Sequence, residues 1–398
     1  MKASALRVPG FRAAGVHCGI KDEGLDLALL VSDRPAAAAG LFTRSTVVGA
    51  PVELSRAHLR AGGARGIVAN SGISNVAMGA HGRRDAAEMA RCAARAVGAQ
   101  PAEFLVASTG VIGEPLPMAR IRRGIQAAAQ EASARGLRRA AEAIRTTDTF
   151  AKTAVATARI SGRPVTVAGI AKGSGMIEPN MATMLAFLVT DASASPGCLR
   201  RVLREAADES FNRLTIDGET STSDTVLLLA GGAAGNPLLR GPASPGARSF
   251  AAAVNQVCVA LARDLARDGE GATKLVTVRV DGARTRAEAE RAARRVANSL
   301  LVKTALFGGD ANWGRVLQTV GAANVALRVD RTEVELCGVV VFRRGVATGP
   351  AARRRAAAKL RSSEVEVRVR LGAGRASAHL WTCDLSTEYV RINAEYTT

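Results

Sequence analysis

Two periods of apolar spacing run through this chain and divide it into strands and helices. Stretches that read as strands, most of them largely apolar, stand at 27–32, 65–70, 104–108, 165–171, 184–189 and 226–230. The stretch 276–280 alternates instead, with Val276, Val278 and Val280 on one side, as a strand with one buried face does. Helical spacing marks 84–97, where Ala87, Met89 and Cys92 share an inner face, and then 117–135, 137–144, 198–211 and 250–267. Thr285 and Glu288 form a capping box that starts a helix to about residue 300. Strands at 333–342 and 364–371, with a helix at 350–361 between them, complete the pattern. The prediction is an α/β chain with mixed sheets covered by helices.

Composition agrees with that class. The chain has 398 residues, 47% of them apolar, with 40 glycines and 3% aromatics. This suits one or two folded domains with a large core. No apolar run reaches the roughly 18 residues that span a membrane. The first residues are too few and too polar for a signal peptide, so a cytoplasmic protein is expected. Six scattered cysteines and four unclustered histidines give no metal-ligand spacing and suggest reduced, mostly buried thiols. The formal charge of +19 raises nucleic acid as a partner. The basic residues are spread along helix faces without interleaved aromatics, which argues against it and leaves a positive surface that attracts anionic substrates. Only seven of the 54 basic residues are lysines. Four of them, Lys152, Lys172, Lys274 and Lys303, lie in or beside glycine- or threonine-rich stretches, where a compact ammonium has a use that arginine lacks.

Polar segments with glycine hold the candidate chemistry. Residues 172–191 read KGSGMIEPNMATMLAFLVTD, with Thr183 between a glycine- and proline-containing loop and a strand. A hydroxyl there is firmly held beside accessible backbone, which suits a nucleophile; a capping or turn threonine fits the same spacing. At Thr109-Gly110 a hydroxyl and a bare backbone N–H meet at a strand end, the two donors an oxyanion hole needs, or else a tight turn. Residues 146–150 set three hydroxyls around Asp148, as turn clusters also do. Glu270 lies between two glycines, so its carboxylate can approach a ligand closely, or sit exposed on a loop. The polar loop 215–225 receives no assigned chemistry. Gly173 lacks the spacing of a phosphate-binding loop.

The run KGSGMIEPNMATML resembles the self-cleavage segment of the ornithine acetyltransferase (glutamate N-acetyltransferase) family, and matches continue from about residue 15 to 398. The resemblance implies an αββα-type sandwich with a smaller C-terminal lobe at about 285–380. It implies a cut between Ala182 and Thr183, giving an α chain, 1–182, and a β chain, 183–398. The two remain interleaved and form a heterotetramer of two α and two β chains. Thr183 is then the nucleophile, and Thr109 and Gly110 the oxyanion pair. Thr149, Lys172, Glu270, Asn393 and Thr398 contact substrate, so the C-terminal tail folds back into the site. Residues 308–315 resemble the family's Asn-Trp-Gly-Arg run and are expected to form a turn beside the site.

The chemistry is consistent with this. No Ser-His-Asp pattern serves Thr183, but a free α-amine on the same residue, with a reference pKa near 8, is a suitable base. The implied reaction is ping-pong: Thr183 takes acetyl from N-acetylornithine and passes it to glutamate. No metal, cofactor, nucleic acid or membrane is required. One segment departs from the family, which usually reads Asn-Ala-Asn-Ala-Cys-Thr-Gly after the strand near Asn70; residues 72–79 here read Gly-Ile-Ser-Asn-Val-Ala-Met-Gly. That leaves open a form that also uses acetyl-coenzyme A as co-substrate, or a paralogue of secondary metabolism. An N-terminal-nucleophile aminopeptidase and a basic binding protein are the more distant alternatives.

Overall fold

The structure is a computed structural model that describes residues 6–178 and 184–395. Ala182, Thr183 and Thr398 lie outside the described residues.

The described strands fall into two sheets. The larger holds β1 (Phe11–Val16), β2 (Leu27–Phe42), β3 (Gly63–Ile73), β4 (Phe104–Val111), β5 (Lys152–Ile160), β6 (Arg163–Lys172), β7 (Leu185–Thr190) and β8 (Thr225–Ala230). Its order is β4-β3-β2-β8-β7-β6-β5, with β1 paired to β2. Its helices are α1 (Ala50–His58), α2 (Gly79–Val97), α3 (Met118–Glu131), α4 (Leu137–Ala143), α5 (Pro196–Glu209) and α6 (Ala247–Arg267).

Alternate residues along each strand go to different cores, as a pleat with period two requires. Leu29, Val31, Val68 and Val106 pack with Met89 of α2 and Ile121 and Ile125 of α3. Leu188 and Val226 pack with Leu199 and Leu203 of α5 and Val257 and Leu261 of α6. The intervening residues Leu30, Ile67 and Leu105 meet Ile170, Phe187 and Leu229 in a third core. The sheet therefore curls so that its two halves face each other, with helices outside both, which is the expected αββα sandwich. Each such fully buried side chain contributes about 1.5–3 kcal/mol relative to exposure. All six residues of β7 are buried, which explains why its sequence is continuously apolar.

The second sheet has β9 (Leu275–Ala283), β10 (Glu333–Leu336), β11 (Val339–Arg343), β12 (Val346–Ala347), β13 (Glu364–Arg370) and β14 (Ala376–Cys383), in the order β12-β11-β10-β13-β9-β14. One face, with Val276, Val278 and Val280, is covered by α7 (Arg286–Ala297), α8 (Leu300–Phe307), α9 (Trp313–Gly321) and α10 (Pro350–Lys359). The other face carries ion pairs such as Arg368–Asp281 at 2.6 Å. Helix α11 (Thr387–Glu395) follows the last strand.

Several boundaries differ from the sequence reading. β2 runs on past residue 32, because Asp33, Arg34 and Pro35 are accommodated in an exposed irregularity between Val31 and Ala36. The strand expected at 333–342 is a hairpin, turned at Cys337 (φ 48°) and Gly338 (φ 77°). The helix expected to reach 300 stops before Asn298, and Ser299 caps α8. Thr285 accepts the Glu288 N–H at 3.2 Å, but the Glu288 carboxylate is held by Arg284, so half of the box forms. The turn expected at 308–315 leads into α9, with Asn312 accepting the Arg315 N–H at 3.1 Å. Trp313 stacks on Phe342 in the second sheet's core, so this motif does not line the cleft described next.

Candidate active site

The ends of β4 and β6, the start of β7, the end of α6 and helix α11 converge on one cleft with a cavity of about 100 Å³. Met184 and Leu185, the residues that follow Thr183 in the chain, line it, as do Thr109, Gly110, Lys172, Glu270 and Asn393.

Thr109 and Gly110 stand where β4 leaves its parallel partner β3. Thr109 Oγ1 accepts a hydrogen bond from Lys172 Nζ at 3.3 Å. Its own proton then remains available to a developing negative charge. Gly110 has φ +128°, and a Cβ there would lie 2.2 Å from the Gly72 carbonyl carbon. Only glycine fits this corner. The divergent 72–79 segment therefore backs the Thr109-Gly110 corner, and its Ser74 lines the cleft while donating its hydroxyl to the Val111 carbonyl at 2.8 Å.

Glu270 is aimed across the cleft by donors on both sides. Thr147 Oγ1 donates to Oε1 at 2.8 Å, and Asn393 Nδ2 donates to Oε2 at 2.8 Å. The Glu270 N–H donates to the Ser174 carbonyl at 2.8 Å. A Cβ on Gly175 would lie 2.3 Å from Glu270 Oε2, so the glycine backbone makes room for the carboxylate.

Beneath the cleft lies a buried charge network. Lys152, fully buried, donates to Asp148 Oδ1 at 2.6 Å and also to Asp268. Asp148 also accepts the Gly173 N–H at 2.6 Å and the Thr146 N–H at 3.1 Å. Burial alone raises the Asp148 pKa, but Lys152, Lys172 and the Gly173 N–H outweigh it and hold the carboxyl down at about 2. Burial pushes the Lys172 ammonium below its ordinary value, against the opposing pull of Asp148, Glu270 and Asp224. A buried amine of lowered basicity beside a hydroxyl is a common feature of reactive sites.

The loop leading away from Lys172 is held by residues 215–220. Met176, at φ +53°, and Ile177 donate successive N–H groups to Asp217 Oδ2 and Oδ1 at 2.6 and 2.8 Å. The Glu178 carboxylate accepts from Arg294 at 3.1 Å, from Thr215 at 3.3 Å and from Asn298.

Thr109, Gly110, Lys172, Glu270 and Asn393 are thus brought together as the sequence reading expected. Thr149 is not. Its N–H and hydroxyl both donate to Asp268, and it does not line the cleft; Thr147, two residues earlier, does. The hydroxyls of 146–150 have no ranking in the residue pattern, because the choice depends on where Asp268 and Glu270 stand at the end of α6. Helix α11 does bring the C-terminal region back to the site, through Asn393. Ala182, Thr183 and Thr398 fall outside the described residues.

Comparison with known proteins fits this geometry. The family model described as ArgJ matches residues 12–398. The "Arginine biosynthesis bifunctional protein ArgJ" of Symbiobacterium thermophilum is 51% identical, covering 98% of this chain and 97% of that protein. The protein of the same name from Geobacter sulfurreducens is 48% identical, covering 99% and 100%. A crystal structure of the arginine biosynthesis bifunctional protein from Bacillus halodurans superposes with a TM-score of 0.51 at 40% identity, covering 54% of this chain and all of that one. Matched almost from end to end, the chain belongs to the ArgJ family.

Proposed function

We propose that this chain is the acetyltransferase of arginine biosynthesis that moves the acetyl group of N-acetylornithine to glutamate, after cutting itself between Ala182 and Thr183. The observation that carries the reading is the cleft at the start of β7. There an oxyanion corner, a buried lysine and a carboxylate face the residues that immediately follow Thr183.

In the maturation step the Thr183 hydroxyl oxygen bonds to the Ala182 carbonyl carbon as the 182–183 C–N bond breaks, and the hydroxyl proton ends on the released α-amine. Water then opens the ester, leaving a carboxylate on Ala182 and a free hydroxyl on Thr183. Thr109 and Gly110 stabilise the oxyanion of both stages; such donors are worth about 10²–10³ in rate each. In turnover the α-amine of Thr183 takes the hydroxyl proton, acetyl passes to Thr183, ornithine leaves, and glutamate takes the acetyl group. Glu270 pairs with the side-chain ammonium of ornithine, assisted by Thr147. Lys172, Asn393 and Thr398 receive the carboxylate and backbone-like groups. Thr149, bound to Asp268, acts on this region from outside the cleft.

Acetyl-coenzyme A as a further acetyl donor is the second reading, prompted by the word bifunctional in the relatives' name. Among the described residues no helix is long and apolar enough to cross a membrane. We place the enzyme in the cytoplasm as two α and two β chains, a stoichiometry that light scattering checks.

The test is intact mass under denaturing conditions beside Thr183→Ala. Fragments of 182 and 216 residues (398 − 182 = 216) are expected from the natural chain alone. An uncut chain that still transferred acetyl would remove the α-amine from the mechanism. Hydrolysis without transfer to glutamate would favour an aminopeptidase instead.

A further inference from the structure

We propose that Asp217 is a positioning residue for self-cleavage: its carboxylate holds the backbone upstream of the scissile bond in the turn that leads to it. The inference rests on the cleavage reading above.

Asp217 captures two successive amides, Met176 N–H at 2.6 Å and Ile177 N–H at 2.8 Å. A left-handed residue in a turn aims successive N–H groups at one anion, and Met176 at φ +53° is that residue here. An L residue with a long side chain disfavours this conformation, so the carboxylate is what retains it. Asp217 is in turn fixed by the Glu219 N–H at 3.2 Å and by the hydroxyl of Tyr389 on α11. The clamp continues one residue on. Ile216 N–H donates to the Ile177 carbonyl at 2.7 Å, and Glu178 N–H donates to the Glu219 carbonyl at 2.8 Å. Ile177 is fully buried.

The same loop also reaches the other side of the cut, because the Thr225 N–H donates to the Met184 carbonyl at 2.9 Å. Residues 215–225 therefore hold both flanks of the 179–183 segment. Downstream, β7 fixes the chain between β6 and β8 without help. Upstream, among the described residues beyond Lys172 at the end of β6, no strand pairing does this, and the Asp217 turn takes its place. This gives the 215–225 loop, which carries no catalytic assignment, a specific role before the chain is cut.

The test is a pulse of cell-free translation of the full chain, followed by the rate at which label moves into the two fragments. Asp217→Asn is expected to be cut about 10- to 100-fold more slowly than the natural chain, the worth of charged hydrogen bonds. Adding Met176→Gly to Asp217→Asn is expected to recover about fivefold, because glycine takes the left-handed turn unaided. A general structural defect would not be rescued by glycine, which loosens the unfolded chain. If Asp217→Asn is insoluble, single variants at Met176 decide: Met176→Val must be cut more slowly than Met176→Gly, and equal rates overturn the proposal. Cutting of Asp217→Asn at the natural rate, or slow cutting that Met176→Gly leaves unchanged, also overturns it while the cleavage reading stands. A natural chain that is never cut overturns both.

Discussion

One methyl group at Gly175 separates the role proposed for Glu270 from the rest of the site. In Gly175→Ala the new carbon would lie 2.3 Å from Glu270 Oε2, 2.5 Å from Cδ and 2.7 Å from Oε1. Ordinary contact begins at 3.4 Å, so the carboxylate must retreat by about 1 Å. The bonds from Thr147 and Asn393, both 2.8 Å, are then stretched beyond hydrogen-bonding range. What moves is the tip of a flexible side chain, so the fold is spared. A charged hydrogen bond to the donor's ammonium is worth about 1.5–3 kcal/mol, which predicts a loss of about 10- to 100-fold in kcat/KM for N-acetylornithine. The assay compares it with an N-acetyl amino acid of equal length whose side chain ends in a methyl group. Self-cleavage, read by intact mass, should persist. If both donors lose activity equally, or neither does, Glu270 does not recognise the ammonium and its assignment fails.

The buried network gives further expectations. Asp148→Asn leaves the ammonium of Lys152 with Asp268 as its remaining carboxylate and should cost about 1.5–3 kcal/mol in urea unfolding, measured in the uncut Thr183→Ala chain. Because the Asp148 pKa falls from 3.8 to about 2 on folding, its contribution is complete above pH 3.8 and is lost as pH falls toward 2. That contribution is about 2 kcal/mol, so the uncut Thr183→Ala chain should lose more stability between pH 5 and 2.5 than the same chain carrying Asp148→Asn does, measured by urea midpoints. Gly110→Ala, with its Cβ 2.2 Å from the Gly72 carbonyl carbon, should slow self-cleavage by about 10²-fold or more, read by intact mass.

Much of the larger sheet was legible because β7 and β8, and most of β4 and β6, are buried on both faces and therefore read as largely apolar runs. β5, KTAVATARI, was not, since its small and polar residues are only partly covered. β1 was missed for a related reason: its FRAAGV is too short and too alanine-rich to stand out from a loop. Helix α11 has no buried residue and so no apolar stripe to read. At the site, Glu270 was legible from its flanking glycines, and Thr109-Gly110 from a strand end. The Asp148–Lys152–Asp268 network was not, because its partners lie 116 residues apart. The scarcity of lysine pointed to Lys152 and Lys172 without saying what they bind.

The strand order has a consequence for the molecularity of folding. β8 pairs with β2 on one side, and β7 pairs with β6 on the other, so residues after position 183 form the middle of a sheet whose two flanks come from before it. While the backbone is continuous, these strands search for one another at the effective concentration of a single tethered chain, on the order of millimolar for short links. The proposed cut between Ala182 and Thr183 would remove that tether. A molecule that has been cut and then unfolded can reassemble only by collision of two fragments, at a rate set by how much protein is present. At dilute concentrations unfolding of the cut protein would be a one-way event, and its working lifetime would be set by how slowly its sheet comes apart.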